Sequence, residues 1–230
     1  AYDGATGEPV DVWLGRIGFT PIEISNYKAG KTINWGDEIF QTGLRQDYLM
    51  SISGGTEKIK YYWSANYTDN EGFTVGEEYK SIRSHLNLES KITSFLTVGL
   101  NTQFANRDES SIPASWSAYY GLSPYGSKYE EDGKTLRYYV HDYNLSINPF
   151  YSRTYIDRYR KYQDLNTKIY ATINLPWGFS YQLNLINNFN DYRSYENESS
   201  ESQANSNGGE ASRNNSRTYS WTVDNILKWD

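Results

Sequence analysis

Among the residues of this 230-residue chain whose types could do chemistry, the carboxylates and imidazoles come first. The acidic pairs Glu77-Glu78 and Glu130-Glu131 offer adjacent carboxyls, the raw material of acid–base catalysis or cation binding. Neighbouring carboxylates in polar loops are ordinarily just solvated, so no catalytic residue is assigned. His85 and His141 lie far apart without metal-ligand spacing, so no metal is assigned either. Glu196, Glu198, Glu201, Asn205 and Asn207 have the oxygen ligands calcium takes, but a mobile hydrophilic loop is the better reading. The absence of cysteine excludes thiol catalysis, Cys-ligated metal and a disulfide framework. The expectation is a protein that is not an enzyme and holds no cofactor. Asn66-Tyr67-Thr68 and Asn197-Glu198-Ser199 fit the glycosylation sequon as chance matches.

Rings are the second chemical resource. A long stretch carries Trp116, Tyr119, Tyr120, Tyr125, Tyr129, Tyr138, Tyr139 and Tyr143. Exposed rings stack on sugars or make a docking surface for a partner protein, and they can equally pack a long ordered loop together. Trp116, Tyr119, Tyr120, Tyr125, Tyr138 and Tyr139 are the candidate contacts, with cargo and partner not separated.

The elements that would hold these groups follow from composition and periodicity. Aromatics reach 17%, with 23 Tyr and 7 Trp, while the hydrophobic total is only 37% and the mean hydropathy is −0.78. Amphipathic rings suit places with one dry and one wet end, such as interfaces and membrane belts. The net charge of −6 comes without a basic run, which excludes nucleic acid as a partner. No apolar run is long enough for a transmembrane helix, but a transmembrane strand hides its apolar residues in alternation. The opening AYDGATGEPV has no signal-peptide pattern, and the closing SWTVDNILKWD stops inside an alternating run. A piece of a longer exported protein is expected.

Helix signals are poor, whereas period-two alternation recurs. Seven runs stand out. The first, from Asp47, places Tyr48, Met50 and Ile52 on one face. After a hairpin turn made by Gly54-Gly55 with Thr56, Glu57 and Lys58, Tyr61, Trp63 and Tyr67 share the apolar face of the second. The third and fourth carry Ile82, Leu86 and Leu88, then Leu96, Val98, Leu100 and Phe104. Leu165, Ile169 and Ile173 mark the fifth. Beyond a turn at Pro176-Trp177-Gly178 come Phe179, Tyr181, Leu183, Leu185 and Phe189, and finally Tyr219, Trp221, Val223, Leu227 and Trp229. The connections run short, medium, short, very long (about 106–163), short and long (about 193–217). One end of the sheet therefore carries turns and the other carries loops, the arrangement of outer-membrane barrels.

Strand rise and tilt give roughly 20 Å along the normal from Trp221 to Trp229, close to the ~25 Å apolar band of such barrels. Tyr181 to Phe189 repeats that spacing. Rings near both ends of several strands read as two lipid-facing girdles: Tyr61, Trp63, Tyr67, Phe104, Phe179, Tyr181, Phe189, Tyr219, Trp221 and Trp229. The opposite face, with Asn66, His85, Asn87, Asn101, Gln103, Asn166, Lys168, Asn184 and Asn188, is too polar for a packed interior and predicts a wet or plugged lumen. Seven strands do not close so wide a barrel, so further strands are expected outside this chain. The rival readings are a secreted carbohydrate-binding β-sandwich and a structural barrel of a surface-secretion assembly.

The segment INWGDEIFQTGLRQDYLMSISGGTEKIKYYWSANYTDNEGFTVGEEYKSIRSHLNLESKITSFLTVGLNTQF, Ile33 to Phe104, resembles the early barrel of SusC/RagA-family TonB-dependent outer-membrane transporters. The features that match are Trp35-Gly36-Asp37-Glu38, the SISGGTEK hairpin, and YYWSANYTDNEG after it. The resemblance is thinner from Leu165 onward. It implies an all-β, antiparallel transmembrane barrel of about 22 strands, of which this chain supplies about seven. It also implies import of oligosaccharides or peptides, a SusD-like surface lipoprotein as lid, and energy from TonB-ExbB-ExbD through a plug domain outside this chain. The location implied is the bacterial outer membrane, with membrane lipid against the girdle. On that layout residues 1–46 form an extracellular region before the second barrel strand, and 47–230 are partial barrel.

Overall fold

The computed structural model describes residues 7–142, 146–205 and 208–229. The alternating segments form seven strands: β1 (Leu44–Gly55), β2 (Ile59–Glu71), β3 (Glu78–Lys91), β4 (Leu96–Asp108), β5 (Ile156–Asn174), β6 (Phe179–Glu198) and β7 (Glu210–Trp229). They pair antiparallel in sequence order as one meander. Backbone bonds close the turns at one end: Thr56 N to Ile59 O at 2.7 Å, Ile92 N to Leu96 O at 2.9 Å and Leu175 N to Phe179 O at 2.8 Å. The other end carries the connections 72–77, 109–155 and 199–209.

Register decides which side chains share a face, because one slip inverts the whole pattern. From partner to partner, Met50 leads through Ala65, Ser84, Phe104, Leu165 and Phe189 to Tyr219. One row outward, Tyr48 leads instead to Arg217. The apolar band therefore slides toward the turn end from β1 to β7. That drift is the stagger of tilted strands.

Three sequence expectations need correction. β1 begins at Leu44 rather than Asp47, so the boundary at 46/47 falls inside a strand. The loop expected at 106–163 is 109–155, and the insertion expected at 193–217 is 199–209. The two loop corrections share a cause. Strands of 19, 20 and 20 residues in β5, β6 and β7 continue past the apolar band into mostly polar sequence. Ladder hydrogen bonds need no apolar alternation, so the period-two signal ends before the strand does. Helix also appears where little was expected, as α1 (Val10–Arg16), α2 (Pro21–Lys28), α3 (Trp35–Ile39) and α4 (Tyr151–Tyr155). In α2 the Thr20 side chain caps the Glu23 amide, the Glu23 carboxylate returns to Thr20, and Pro21 starts the first turn.

The first hairpin turns at 56–58 as expected, but its glycine pair lies in the strand rather than in the turn. Gly54 and Gly55 end β1, opposite Tyr61 and Lys60, and the turn itself is 56–58. A Cβ on Gly55 would stand 2.6 Å from the Ile59 carbonyl oxygen, a backbone atom held by the turn. Gly55 thus supplies clearance rather than an unusual dihedral. Gly55→Ala should cost about 1–3 kcal/mol in the unfolding free energy of the full-length protein. An unchanged denaturant midpoint would show that the hairpin relaxes freely.

The packed core is at the loop end. Trp35, Ile39, Ala114, Leu136, Val140 and Phe150 are buried together, with Ile33, Phe40, Val75, Leu122 and Tyr155 against them. The long loop and the N-terminal segment thus share a miniature core above the sheet.

Candidate functional site

Three surfaces have the organisation of a functional site: the apolar face, the polar face and the loop cap. On the apolar face the register brings Tyr61, Trp63, Tyr67, Phe104, Phe179, Tyr181, Phe189, Tyr219, Trp221 and Trp229 to one side of the sheet. Tyr48 and Tyr67 stack near the loop end (6.3 Å between centroids), and Phe179 and Trp229 near the turn end (6.2 Å). Four hydrogen bonds tie polar groups inside the band to their neighbours. Trp63 Nε1 donates to Ser84 Oγ (3.0 Å), and the Thr102 and Thr167 hydroxyls meet at 3.0 Å. Tyr219 Oη donates to Asn187 Oδ1 (2.9 Å), and Tyr181 Oη to Asn225 Oδ1 (2.6 Å). An apolar surrounding demands such pairing, because an unpaired polar group there costs several kcal/mol.

The opposite face has the reverse character. One full row reads Ser51, Ser64, His85, Gln103, Asn166, Asn188 and Ser220, without an apolar member. Five buried polar atoms have no partner among the described residues: Ser81 Oγ, His85 Nε2, Asn87 Oδ1, Arg107 Nε and Arg160 Nε. All five belong to residues on this face by the strand register. Buried donors and acceptors are normally satisfied, so this face is built to meet water or further protein. Two clefts open on it. One of about 470 Å³ includes Asn66, Arg83, His85, Gln103 and Asp164; the other, of about 450 Å³, includes Lys60, Tyr62, Asn87, Glu89 and Tyr170.

The loop cap divides the candidate contact rings. Trp116, Tyr119 and Tyr120 lie on a short 3-10 helix, Trp116–Gly121. Tyr120 is 87% exposed and Trp116 54%, whereas Tyr119 sets its ring against Phe40 at 5.6 Å. Tyr125 packs beside Phe19 (5.7 Å) and Tyr27 (5.4 Å), and Asn26 Nδ2 donates to its carbonyl at 2.8 Å. Tyr138 meets Tyr139 at 4.5 Å and Tyr151 at 4.7 Å, and Tyr151 meets Tyr155 at 4.5 Å. Burial, then the neighbouring phenols, pushes the Tyr138 and Tyr155 hydroxyls above their ordinary pKa. Tyr129 remains partly exposed with Lys128 Nζ 5.6 Å from its ring, and Tyr143 lies outside the described residues.

Charge in the cap is paired. Arg137 reaches Glu130 at 3.3 Å and Asp142 at 2.5 Å, so one member of the Glu130-Glu131 pair serves an ion pair. Lys128 contacts Glu38 at 2.5 Å and sits 3.9 Å over the Phe150 ring. Burial disfavours the Glu23 charge, but donors from Ser123 and Thr20 outweigh it and hold the carboxyl below its ordinary pKa. The Thr135 hydroxyl and the Lys134 and Thr135 amides do the same for Asp132 at an exposed turn. Of the other acidic pair, Glu77 accepts from the Thr74 amide and Glu78 approaches Lys80 at 3.8 Å.

His85 stands on β3 beside Tyr62, and His141 lies in the cap near the Gly121 carbonyl. Among the described residues no group of three or more His, Asp or Glu is placed to hold a metal ion. Of the proposed calcium ligands, Glu196 pairs with Arg158 at 2.7 Å, Glu198 accepts from Ser202, and Asn207 lies outside the described residues. Sequence reasoning missed Trp35 and Asn26 as organisers of the cap. The Thr20-Pro21-Ile22-Glu23 capping signature was the available signal.

No protein-family model matches the chain. Over 63 residues it is 36% identical to TonB-dependent receptor P39 of Formosa agariphila, which covers 27% of this chain and 6% of that protein. Over 74 residues it is 31% identical to TonB-dependent receptor SusC of Bacteroides thetaiotaomicron, covering 32% and 7%. The RagAB peptide importer in its closed-closed state superposes with a TM-score of 0.72 at 21% identity, over 86% of this chain and 23% of that one. Its open-open state gives 0.71 at 20%. The chain spans less than a tenth of the curated relatives it matches and about a quarter of the solved chain. Its resemblance to SusC/RagA-type receptors stands in sequence, and its fold is that of part of RagAB.

Proposed function

We propose that this chain forms part of the wall of an outer-membrane barrel that imports nutrients with TonB-derived energy. The supporting observation is the single register that puts every aromatic of the girdle on one face and an unbroken polar row on the other. In this reading the apolar face meets lipid and the polar face lines a lumen. The turn end points to the periplasm, and 7–43, 109–155 and 199–209 lie outside the cell. The barrel has about 22 strands, with its plug and TonB-ExbB-ExbD contacts outside this chain. The relatives are receptors and importers, which supports transport without covalent catalysis. Trp116 and Tyr120 are the bare rings best placed for cargo or a SusD-like lid, while Tyr119, Tyr125, Tyr138 and Tyr139 hold the cap together. The cargo is an oligosaccharide or a peptide. A β-sandwich needs a second sheet over the apolar face, and the described strands form one sheet.

The test uses the full-length protein, extracted in detergent and run with and without heating, followed by uptake of labelled oligosaccharides and peptides by cells with and without TonB. Heat-shifted migration and TonB-dependent uptake are expected. Identical migration in both states would overturn the barrel, and uptake indifferent to TonB would overturn the energy source.

A further inference from the structure

The charged row that borders the apolar band on its loop side is balanced except at one place. From partner to partner it reads Asp69, Lys80, Asp108, Lys161, Arg193 and Asn215. Signs alternate across the first four, with contacts of 3.5 Å for Lys80–Asp69 and 3.1 Å for Lys161–Asp108. At β6 the alternation fails, and Arg193 stands opposite Lys161. Like charges directly opposed on a sheet are unfavourable unless something else answers them. Arg213 and Arg217 flank Asn215 on the same face, two residues to either side.

One acid answers this group. Asp191 is 5% exposed and accepts from Arg193 Nη2 at 2.7 Å and Arg217 Nε at 3.2 Å. Arg213 Nη2 donates to Tyr195 Oη at 3.0 Å, with its guanidinium 4.6 Å from that ring. A guanidinium has five N–H groups, so these contacts orient the forks and leave donors on each. Three cations against one carboxylate line a cleft of about 350 Å³. It begins one row outward of Phe189 and Tyr219, at Asp191 and Arg217, and extends two rows further to Tyr195 and Arg213. A further strand added beside β7 would bond in the plane of the sheet and leave this face uncovered.

We propose that Arg193, Arg213 and Arg217 form a binding site for the phosphate groups of an outer-leaflet lipid. The inference rests on the membrane reading above. Phosphorylated headgroups lie immediately outside the hydrocarbon, at the depth where this patch borders the apolar band. Arginine forks match phosphate oxygens in paired hydrogen bonds, and Asp191 fixes two of the forks in advance. The neighbouring rings, Phe189 and Tyr219, border the site on the side where an acyl chain would lie.

The test places full-length protein in nanodiscs of zwitterionic phospholipid and measures binding of bisphosphorylated lipid A by native mass spectrometry. The variant Arg193→Gln/Arg213→Gln/Arg217→Gln carries Asp191→Asn as well, so that no buried carboxylate loses its partners. Binding should fall by about tenfold or more, and by about threefold for Arg213→Gln alone. Lys80→Gln/Lys161→Gln, altered in the balanced part of the row, should stay within about twofold of wild type. Unchanged binding in the fourfold variant overturns the inference while heat-shifted migration leaves the barrel standing. Equal binding of dephosphorylated lipid A, or displacement by millimolar inorganic phosphate, also overturns it. A wild-type protein that does not migrate as a barrel removes both readings together.

Discussion

If the apolar face meets lipid as proposed, Ile169→Lys should destabilise the assembled barrel by about 2–4 kcal/mol, the cost of a cation at the lipid-facing midplane of an outer-membrane barrel. Ile169 lies in the middle of the apolar band, paired with Leu100 on β4 and Leu185 on β6. Its chain neighbour is Lys168, on the opposite face at the same level. The wild-type protein thus already holds a lysine at this depth, one residue and one face away. If the polar face lines a wet lumen, Lys168 keeps its hydration, whereas a lysine at 169 must reach through hydrocarbon for water. Asn166→Lys, on the polar face, should change stability by less than about 0.5 kcal/mol. Guanidinium unfolding of the full-length protein in lipid vesicles, followed by tryptophan fluorescence, reads both. Equal effects at the two positions would mean that the faces do not meet different solvents.

The sheet was legible because its information is periodic. Trp221, Val223, Leu227 and Trp229 declare a strand and a face by alternation alone, and the pairing Ile173–Tyr181 follows from the tight turn at 176–178 between β5 and β6. The alternation of turns and loops set which ends belong together for the same reason. The strand ends were illegible because Asp191 to Glu198 is polar on both faces, and nothing in side-chain period distinguishes it from a loop. The ladders to β5 and β7 hold it extended. Cap architecture was hidden differently. Its core joins Trp35 and Ile39 to Val140 and Phe150 across long sequence separations, through helices of five residues that carry no measurable period. The rings Tyr125, Tyr138 and Tyr139 were visible as rings. Whether a ring packs or stays bare depends on partners such as Phe19, Tyr27 and Tyr151, which local sequence does not name.

Trp35→Ala should cost the cap about 3–5 kcal/mol, the range for removing a fully buried large aromatic. Trp35 is 3% exposed, and its Nε1 donates to the Ser123 carbonyl at 2.8 Å, so the substitution leaves a cavity and an orphaned acceptor. The effect should be local. The cap core joins the sheet through short connections, such as Val75 N to Ile39 O at 2.9 Å and Ala114 N to Val75 O at 2.9 Å, while the strands are held by their own ladders. Hydrogen exchange should accelerate across 33–40 and 109–155 and stay unchanged in β5, β6 and β7, with heat-shifted migration retained. Exchange that rises equally in the strands would show that cap and sheet open as one unit. If the cap presents Trp116 and Tyr120 to cargo or lid, uptake should fall in this variant although the wall of the barrel is intact. Loss of transport without loss of the barrel would tie the function to a surface that the cap core positions from beneath.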